Sequence, residues 1–195
     1  MKMKKDKPYV IGISSPSGGG KTAVTKALNE KLVGSTAIYF DEFDDTTTHP
    51  EDLIAWVSRG GDYNEWRTPG IVSALESIIA KNESKFILYD APLGRAHDES
   101  GRYIDFMVFI DTPLDVAMAR RFLRDNLSDP SHDSECVLHN LKNELSGYLK
   151  EGRLPYLEMY RKVKPKSDIV VDGCLSLDEI SDLIAQNVKE NQEAK

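Results

Sequence analysis

Five short apolar runs recur along the chain, each closing on a polar residue: YVIGIS (Tyr9–Ser14), AIYFD (Ala37–Asp41), FILYD (Phe86–Asp90), MVFID (Met107–Asp111) and DIVVD (Asp168–Asp172). They are rich in Val, Ile, Phe and Tyr and lack polar alternation, the pattern of strands buried on both faces. Between them the apolar period lengthens to that of a helix. Val24, Leu28 and Leu32 fall on one stripe, with Gly34 placed to end the helix, and Ile71–Ala80 and Val116–Leu123 read the same way. Ser176 followed by Glu179 forms a capping box ahead of a last amphipathic helix. This alternation predicts an α/β fold of three layers, a five-stranded parallel sheet with helices on both faces. No repeat, low-complexity tract or linker divides the 195 residues, so a single domain over 1–195 is expected.

Composition narrows the class. A hydrophobic fraction of 40% and a charged fraction of 29% suit a soluble globular protein. No apolar run approaches the roughly 20 residues of a membrane span. The basic start MKMKKDKPYV has too short an apolar stretch for a secretory signal. Cys136 and Cys174 are the only cysteines and make no disulfide framework, so a reducing cytoplasm is expected. The net charge of -7 argues against nucleic-acid and membrane partners, while a local basic pocket can still take a small anion.

Such a pocket is encoded at SSPSGGGKT, residues 14–22. The phosphate-loop pattern G-x-x-x-x-G-K-[ST] is met by Gly20, Lys21 and Thr22, with Ser15 at the first glycine position. A strand leads into the segment and a helix leaves it at Lys21, which aims backbone N–H groups and a positive helix end at one point. The cradle then rests on Gly18, Gly19, Gly20, Lys21 and Thr22, because Pro16 has no N–H to give. The nucleotide contacts expected are Ser17, Gly18, Gly19, Gly20, Lys21, Thr22 and Ala23. Lys21 reaches the terminal phosphates, and the Thr22 hydroxyl faces Mg²⁺.

Asp41, Asp90, Asp111 and Asp172 all end strands, so the carboxylates must be told apart by context. Asp111 precedes Thr-Pro and reads as a helix cap; Asp172-Gly173 reads as a turn. Asp90 leaves the sheet into Ala-Pro-Leu-Gly and is the expected partner of Thr22 at the metal. Asp41 opens the acidic cluster DEFDD and is the expected base toward a hydroxyl acceptor. For both, a solvated strand-end acid is the plain alternative.

Several segments together resemble the uridine kinase and nicotinamide riboside kinase group of P-loop kinases. IGISSPSGGGKT is similar to that group's IGI-S-G-G-S-G-S-G-K-T opening, and YFDEFD to its strand-ending D-x-F-Y, with Asp44 where the tyrosine stands. FIDTPLDVAMARRFLRD resembles its strand, D-T-P/D turn and lid helix, and LPYLEMYRKVKPKSDIVVDG its closing segment. The resemblance implies the P-loop NTPase fold with an arginine-bearing lid at about 116–150 and an acceptor-side insertion at about 43–84. It also implies the base role at Asp41 and lid arginines directed at ATP phosphates. Read as a helix, Arg120 and Arg124 share a face and Arg121 lies within one turn of Arg124. Arg121 and Arg124 are expected to stabilise transferring charge and Arg120 to touch nucleotide, with a salt-bridged solvent face involving Asp125 as the alternative.

In the insertion, Tyr63 and Trp66 are placed to stack on a planar acceptor and Arg67 to meet an anionic or polyhydroxyl group, with Arg95 a further acceptor contact. Packing of the insertion on the core is the competing account. His132, Cys136 and His139 have metal-like side chains but lack a second recognisable ligand pair, and Cys136 with His139 suits a helix interior instead of a zinc site. These features point to an ATP- and Mg²⁺-dependent kinase of a small-molecule hydroxyl, foremost a nucleoside or riboside. A kinase of a sugar, vitamin or antibiotic, or a nucleotide-binding regulator without turnover, remains the alternative.

Overall fold

The computed structural model describes residues 7–127 and 133–193, with the side chain of residue 127 outside that description. Five strands, β1 (Tyr9–Ser14), β2 (Ser35–Ile38), β3 (Phe86–Asp90), β4 (Phe106–Asp111) and β5 (Ile169–Asp172), form one parallel sheet in the order β2-β3-β1-β4-β5. The helices are α1 (Lys21–Lys31), α2 (Leu53–Ser58), α3 (Pro69–Lys81), α4 (Asp98–Gly101), α5 (Leu114–Leu127), α6 (Ser134–Gly147), α7 (Leu154–Lys162) and α8 (Leu177–Glu193).

Side chains alternate along the strands, so each face carries its own core. Ile11, Ile13, Leu88 and Val108 pack with Val24 and Leu28 of α1 and Ile180 and Ile184 of α8. Val10, Tyr89, Met107 and Phe109 pack on the opposite face with Trp56 of α2, Leu75 of α3 and Met159 of α7. Both layers read as apolar, which explains the unbroken runs in the sequence. The Ser176–Glu179 capping box is formed: Ser176 N donates to Glu179 Oε2 at 2.9 Å and Glu179 N to Ser176 Oγ at 3.3 Å. Asp172 makes the expected turn, accepting from Cys174 N at 2.8 Å.

Two expectations need correction. The run AIYFD is not one strand: β2 stops at Ile38 and a 3-10 turn covers Phe40–Thr46. Phe40 turns into the core while the acids after it stay in solvent, an arrangement an extended strand cannot provide. Asp111 does not cap α5; its Oδ2 takes Lys164 Nζ at 2.7 Å, because the chain leaving α7 returns beside the end of β4.

Between β2 and β3 the chain builds a wall on one face of the sheet. Trp56 is fully buried, meets Tyr63 edge-on with centroids 5.3 Å apart, and donates Nε1–H to Asp62 O at 2.9 Å. The segment around Trp66 is tied to α4 and to His97 just before it. Asn64 Nδ2 donates to Asp98 Oδ2 at 3.1 Å, Asp98 N returns a bond to Asn64 Oδ1 at 2.8 Å, and Arg67 pairs with Glu99 at 3.4 Å. Buried His97 completes the tie, with Nε2 3.2 Å from Trp66 O and Nδ1 2.8 Å from Ser100 Oγ. A carbonyl only accepts, so Nε2 carries a proton, and in the neutral ring Nδ1 accepts from the serine hydroxyl. Burial holds it below the ordinary imidazole range despite the opposing pull of the Trp66 carbonyl and of Glu99 and Asp98.

Two outcomes are expected. Trp56→Ala removes a buried ring and its bond to Asp62, and urea unfolding should register a loss of about 3–5 kcal/mol. His97 titrates lower when folded, so the unfolded chain takes the proton first as pH falls. Its contribution is therefore complete above about pH 6.5 and is lost as pH drops below that value toward the folded one. His97→Gln should flatten the acid-side fall in stability, by at most about 1.4 kcal/mol per pH unit, in unfolding curves recorded across a pH series.

Candidate active site

The phosphate loop leaves β1 and enters α1 through three consecutive glycines. Gly18 has φ 81° and passes so close to α5 that a Cβ would stand 2.1 Å from Ala117 O. Gly20, at φ 104°, is the cap of α1, and a Cβ there would meet nothing within 4 Å. Gly20, Lys21, Thr22 and Ala23, the start of α1, line an open cleft, and a helix N-terminus there suits an anion. Ser15, at the first glycine position, is buried, and its Oγ donates to Pro16 O at 3.1 Å. It fits because Gly19 is bare: a Cβ there would lie 2.5 Å from Ser15 Oγ.

Beside the loop runs β3, paired with β1 so that Ile13 stands opposite Asp90. Thr22 Oγ1 donates to Asp90 Oδ2 at 3.0 Å. Asp90 Oδ1 is buried and has no partner among the described residues. Burial raises the Asp90 carboxyl above the usual range; Lys21 and the Thr22 hydroxyl pull it down, and Asp41 adds to the rise. One carboxylate with an unused oxygen beside a threonine hydroxyl suits Mg²⁺, which takes few protein ligands and keeps water and phosphate oxygens. Among the described residues no group of three or more His, Cys, Asp or Glu forms a metal cluster. Cys136 is exposed and free, and His132 lies outside the described residues.

Above the loop opens a cleft of about 480 Å³. Ser17, Gly18, Gly20, Lys21, Thr22 and Ala23 line it, and so does Lys26, one turn further along α1. Asp41 lines it from the turn after β2, three residues beyond the strand, with Phe40 beside it. Arg120 and Arg124 enter from α5 at the spacing of one helix face. Arg120 Nη1 donates to Gly173 O at 3.1 Å, and Arg124 Nε bonds Asp125 Oδ1 at 2.6 Å. Tyr63 and Trp66 line the cleft as well; Trp66 Nε1 is buried without a partner among the described residues.

Other expected residues sit elsewhere. Gly19 and Asp90 lie beneath the cleft surface rather than on it. Arg121 is about 100° round α5 from Arg120; it donates to Tyr156 Oη at 3.2 Å and faces a small neighbouring crevice. Arg67 is held by Glu99 on the outside of the wall. Arg95 points to the opposite end of the strands, where Asp168 and the carbonyls of Ile104, Asp105 and Lys166 surround its guanidinium. Sequence reasoning missed Pro155, Tyr156 and Met159, which bring α7 to the cleft. Their i, i+1, i+4 spacing gives a helix face and no chemical motif.

No protein-family model matches the chain. Relatives named uridine kinase align along most of it. That of Ligilactobacillus salivarius (strain UCC118) is 25% identical over 195 residues, covering 88% of each chain. That of Chlamydia pneumoniae is 22% identical, covering 94% of this chain and 90% of its own. A sugar kinase from Janibacter sp. HTCC2649 has a TM-score of 0.52 at 16% sequence identity, covering 93% of this chain and 94% of that one. The parallel sheet and its phosphate loop have the P-loop kinase fold, and the chain is a small-molecule kinase of that type, similar to uridine kinases over most of its length.

Proposed function

We propose that the protein transfers the terminal phosphoryl group of ATP, with Mg²⁺, to a hydroxyl of a neutral nucleoside or riboside. The observation that carries this reading is the single cleft lined by Lys21, Thr22 and Asp41, with the unused oxygen of Asp90 at its base. Backbone N–H groups and Lys21 hold the phosphates. Thr22 and Asp90 hold Mg²⁺, which neutralises phosphate oxygens when bound. Asp41 accepts the proton of the acceptor hydroxyl and orients it, while Arg120 and Arg124 offset charge as the phosphoryl group moves, so that the α5–α6 region acts as the lid. In a loose transition state this positioning and charge compensation outweigh base strength.

The wall supports this acceptor class. The cations of the cleft, Lys21, Lys26, Arg120 and Arg124, come from the helices beside the phosphate loop, whereas Tyr63, Trp66, Leu93 and Met159 offer aromatic and apolar faces. With Arg67 and Arg95 engaged elsewhere, the wall supports a flat, uncharged ring over an anionic acceptor. The names of the relatives make uridine the first acceptor to try. The exposed thiols Cys136 and Cys174 agree with work in a reducing cytoplasm.

A panel of nucleosides, ribosides, sugars and vitamins with Mg²⁺-ATP, read as ADP release, tests this reading. Nucleoside-dependent turnover supports it, turnover with a sugar alone overturns the acceptor, and no turnover with any of them overturns the enzyme. Asp41→Asn should lower kcat by about a hundredfold or more with ATP affinity largely kept; joint loss of ATP binding would remove the base role. Asp90→Asn should raise the Mg²⁺ concentration needed for turnover at least about tenfold. Without ligands its thermal midpoint at neutral pH should be no lower than that of the parent, because burial disfavours the charge it removes.

A further inference from the structure

We propose that Thr112, immediately after β4, is a positioning residue: its hydroxyl sets the plane of the Gly19–Gly20 peptide and thereby aims the Gly20 N–H into the cleft. Thr112 is fully buried, and its Oγ1 donates to Gly19 O at 2.8 Å across 93 positions of sequence. In a trans peptide the C=O and the following N–H point in opposite directions. Holding Gly19 O toward the end of β4 therefore turns the Gly20 N–H away from it. Gly20 lines the cleft and Gly19 does not, as this orientation requires.

The neighbouring peptides are fixed by other means. Gly19 N donates to Pro16 O at 2.8 Å, and Gly20 O accepts from Val24 N at 2.9 Å. The peptide between them joins two glycines, the pair with the least steric resistance to rotation. Pro16 has already removed one donor from the loop, which raises the weight of each N–H that remains.

Thr112 is itself held. Its carbonyl accepts from Tyr160 Oη at 2.6 Å, and Gly173 packs so closely that a Cβ there would stand 1.9 Å from Thr112 Oγ1. Tyr160 belongs to α7 and Gly173 to the turn after β5, so two elements that come well after Thr112 in the chain seat the hydroxyl that bonds Gly19 O. The inference rests on the reading that the cradle takes the phosphates of a nucleotide.

The test is calorimetric titration of the full chain and its variants with Mg²⁺-ADP and, separately, with adenosine, which lacks phosphate. Thr112→Val should weaken Mg²⁺-ADP by about tenfold, the loss of one oriented donor to a charged group. Adenosine affinity should be unchanged, and Thr112→Ser, which keeps the hydroxyl, should restore nucleotide binding to within about threefold of the parent. A folded Thr112→Val with parental Mg²⁺-ADP affinity overturns the role. So does equal loss for both ligands, or a Thr112→Ser variant as weak as Thr112→Val. If Thr112→Val does not fold, Tyr160→Phe takes its place: a smaller loss confined to Mg²⁺-ADP supports the role, and unchanged affinity removes it. Failure of the parent to bind Mg²⁺-ADP would instead overturn the nucleotide reading, so the two failures are distinct.

Discussion

A carboxylate buried at the end of a strand is costly unless something compensates it. Asp90 receives partial compensation, from the hydroxyl of Thr22 and the charge of Lys21, and one oxygen has no partner among the described residues. The arrangement exists because β1 and β3, not consecutive in sequence, lie side by side at the centre of the sheet. The loop after β1 and the acid ending β3 must then share the space above those strand ends. The α1 start, the glycine run and the cleft all follow from that adjacency. A group left under-satisfied at the centre of a well-packed sheet is where local stability yields to binding.

What the sequence discloses here depends on the range of the interaction. The phosphate loop was legible because strand, glycines and helix are contiguous, and each obeys a local rule. The five apolar runs were legible because both faces of the sheet are covered. The roles of the strand-end aspartates were harder to read, since the runs end alike and only strand order decides which acid meets the loop. Asp90 stands beside β1, whereas Asp111 is claimed by Lys164, a contact 53 positions away that no local pattern announces. The arginines of α5 illustrate a finer limit. Arg120 and Arg121 are adjacent letters, yet a rotation of about 100° separates a cleft residue from one bound to Tyr156.

The cleft wall shows how charge can be removed from a surface without removing charged residues. Arg59 pairs with Glu65, Arg67 with Glu99 and Arg95 with Asp168, so the cations of the wall and the neighbouring loop are spent on tying segments together. Exposed pairs of this kind add little stability each. Their larger effect is on composition, since the aromatic faces of Tyr63 and Trp66 are what the cleft is left to see. From sequence, Arg67 and Arg95 looked available to a ligand because their acidic partners are 32 and 73 positions away.

The helix α7 joins the two halves of the cleft. Pro155, Tyr156 and Met159 form part of its wall, and Tyr160, the next residue, anchors the Thr112 carbonyl whose own side chain holds the phosphate loop. Residues 155, 156, 159 and 160 fall on one face of the helix, which is braced at its end by Val163, fully buried in the core. A rigid helix cannot shift its wall residues without moving the anchor one position away. Any acceptor that packs on Tyr156 and Met159 therefore acts on the same element that anchors Thr112 and, through it, the Gly19–Gly20 peptide. The spacing of wall and anchor is set by the covalent geometry of a single turn, and two hydrogen bonds, Tyr160 Oη to Thr112 O and Thr112 Oγ1 to Gly19 O, carry the connection on to the loop.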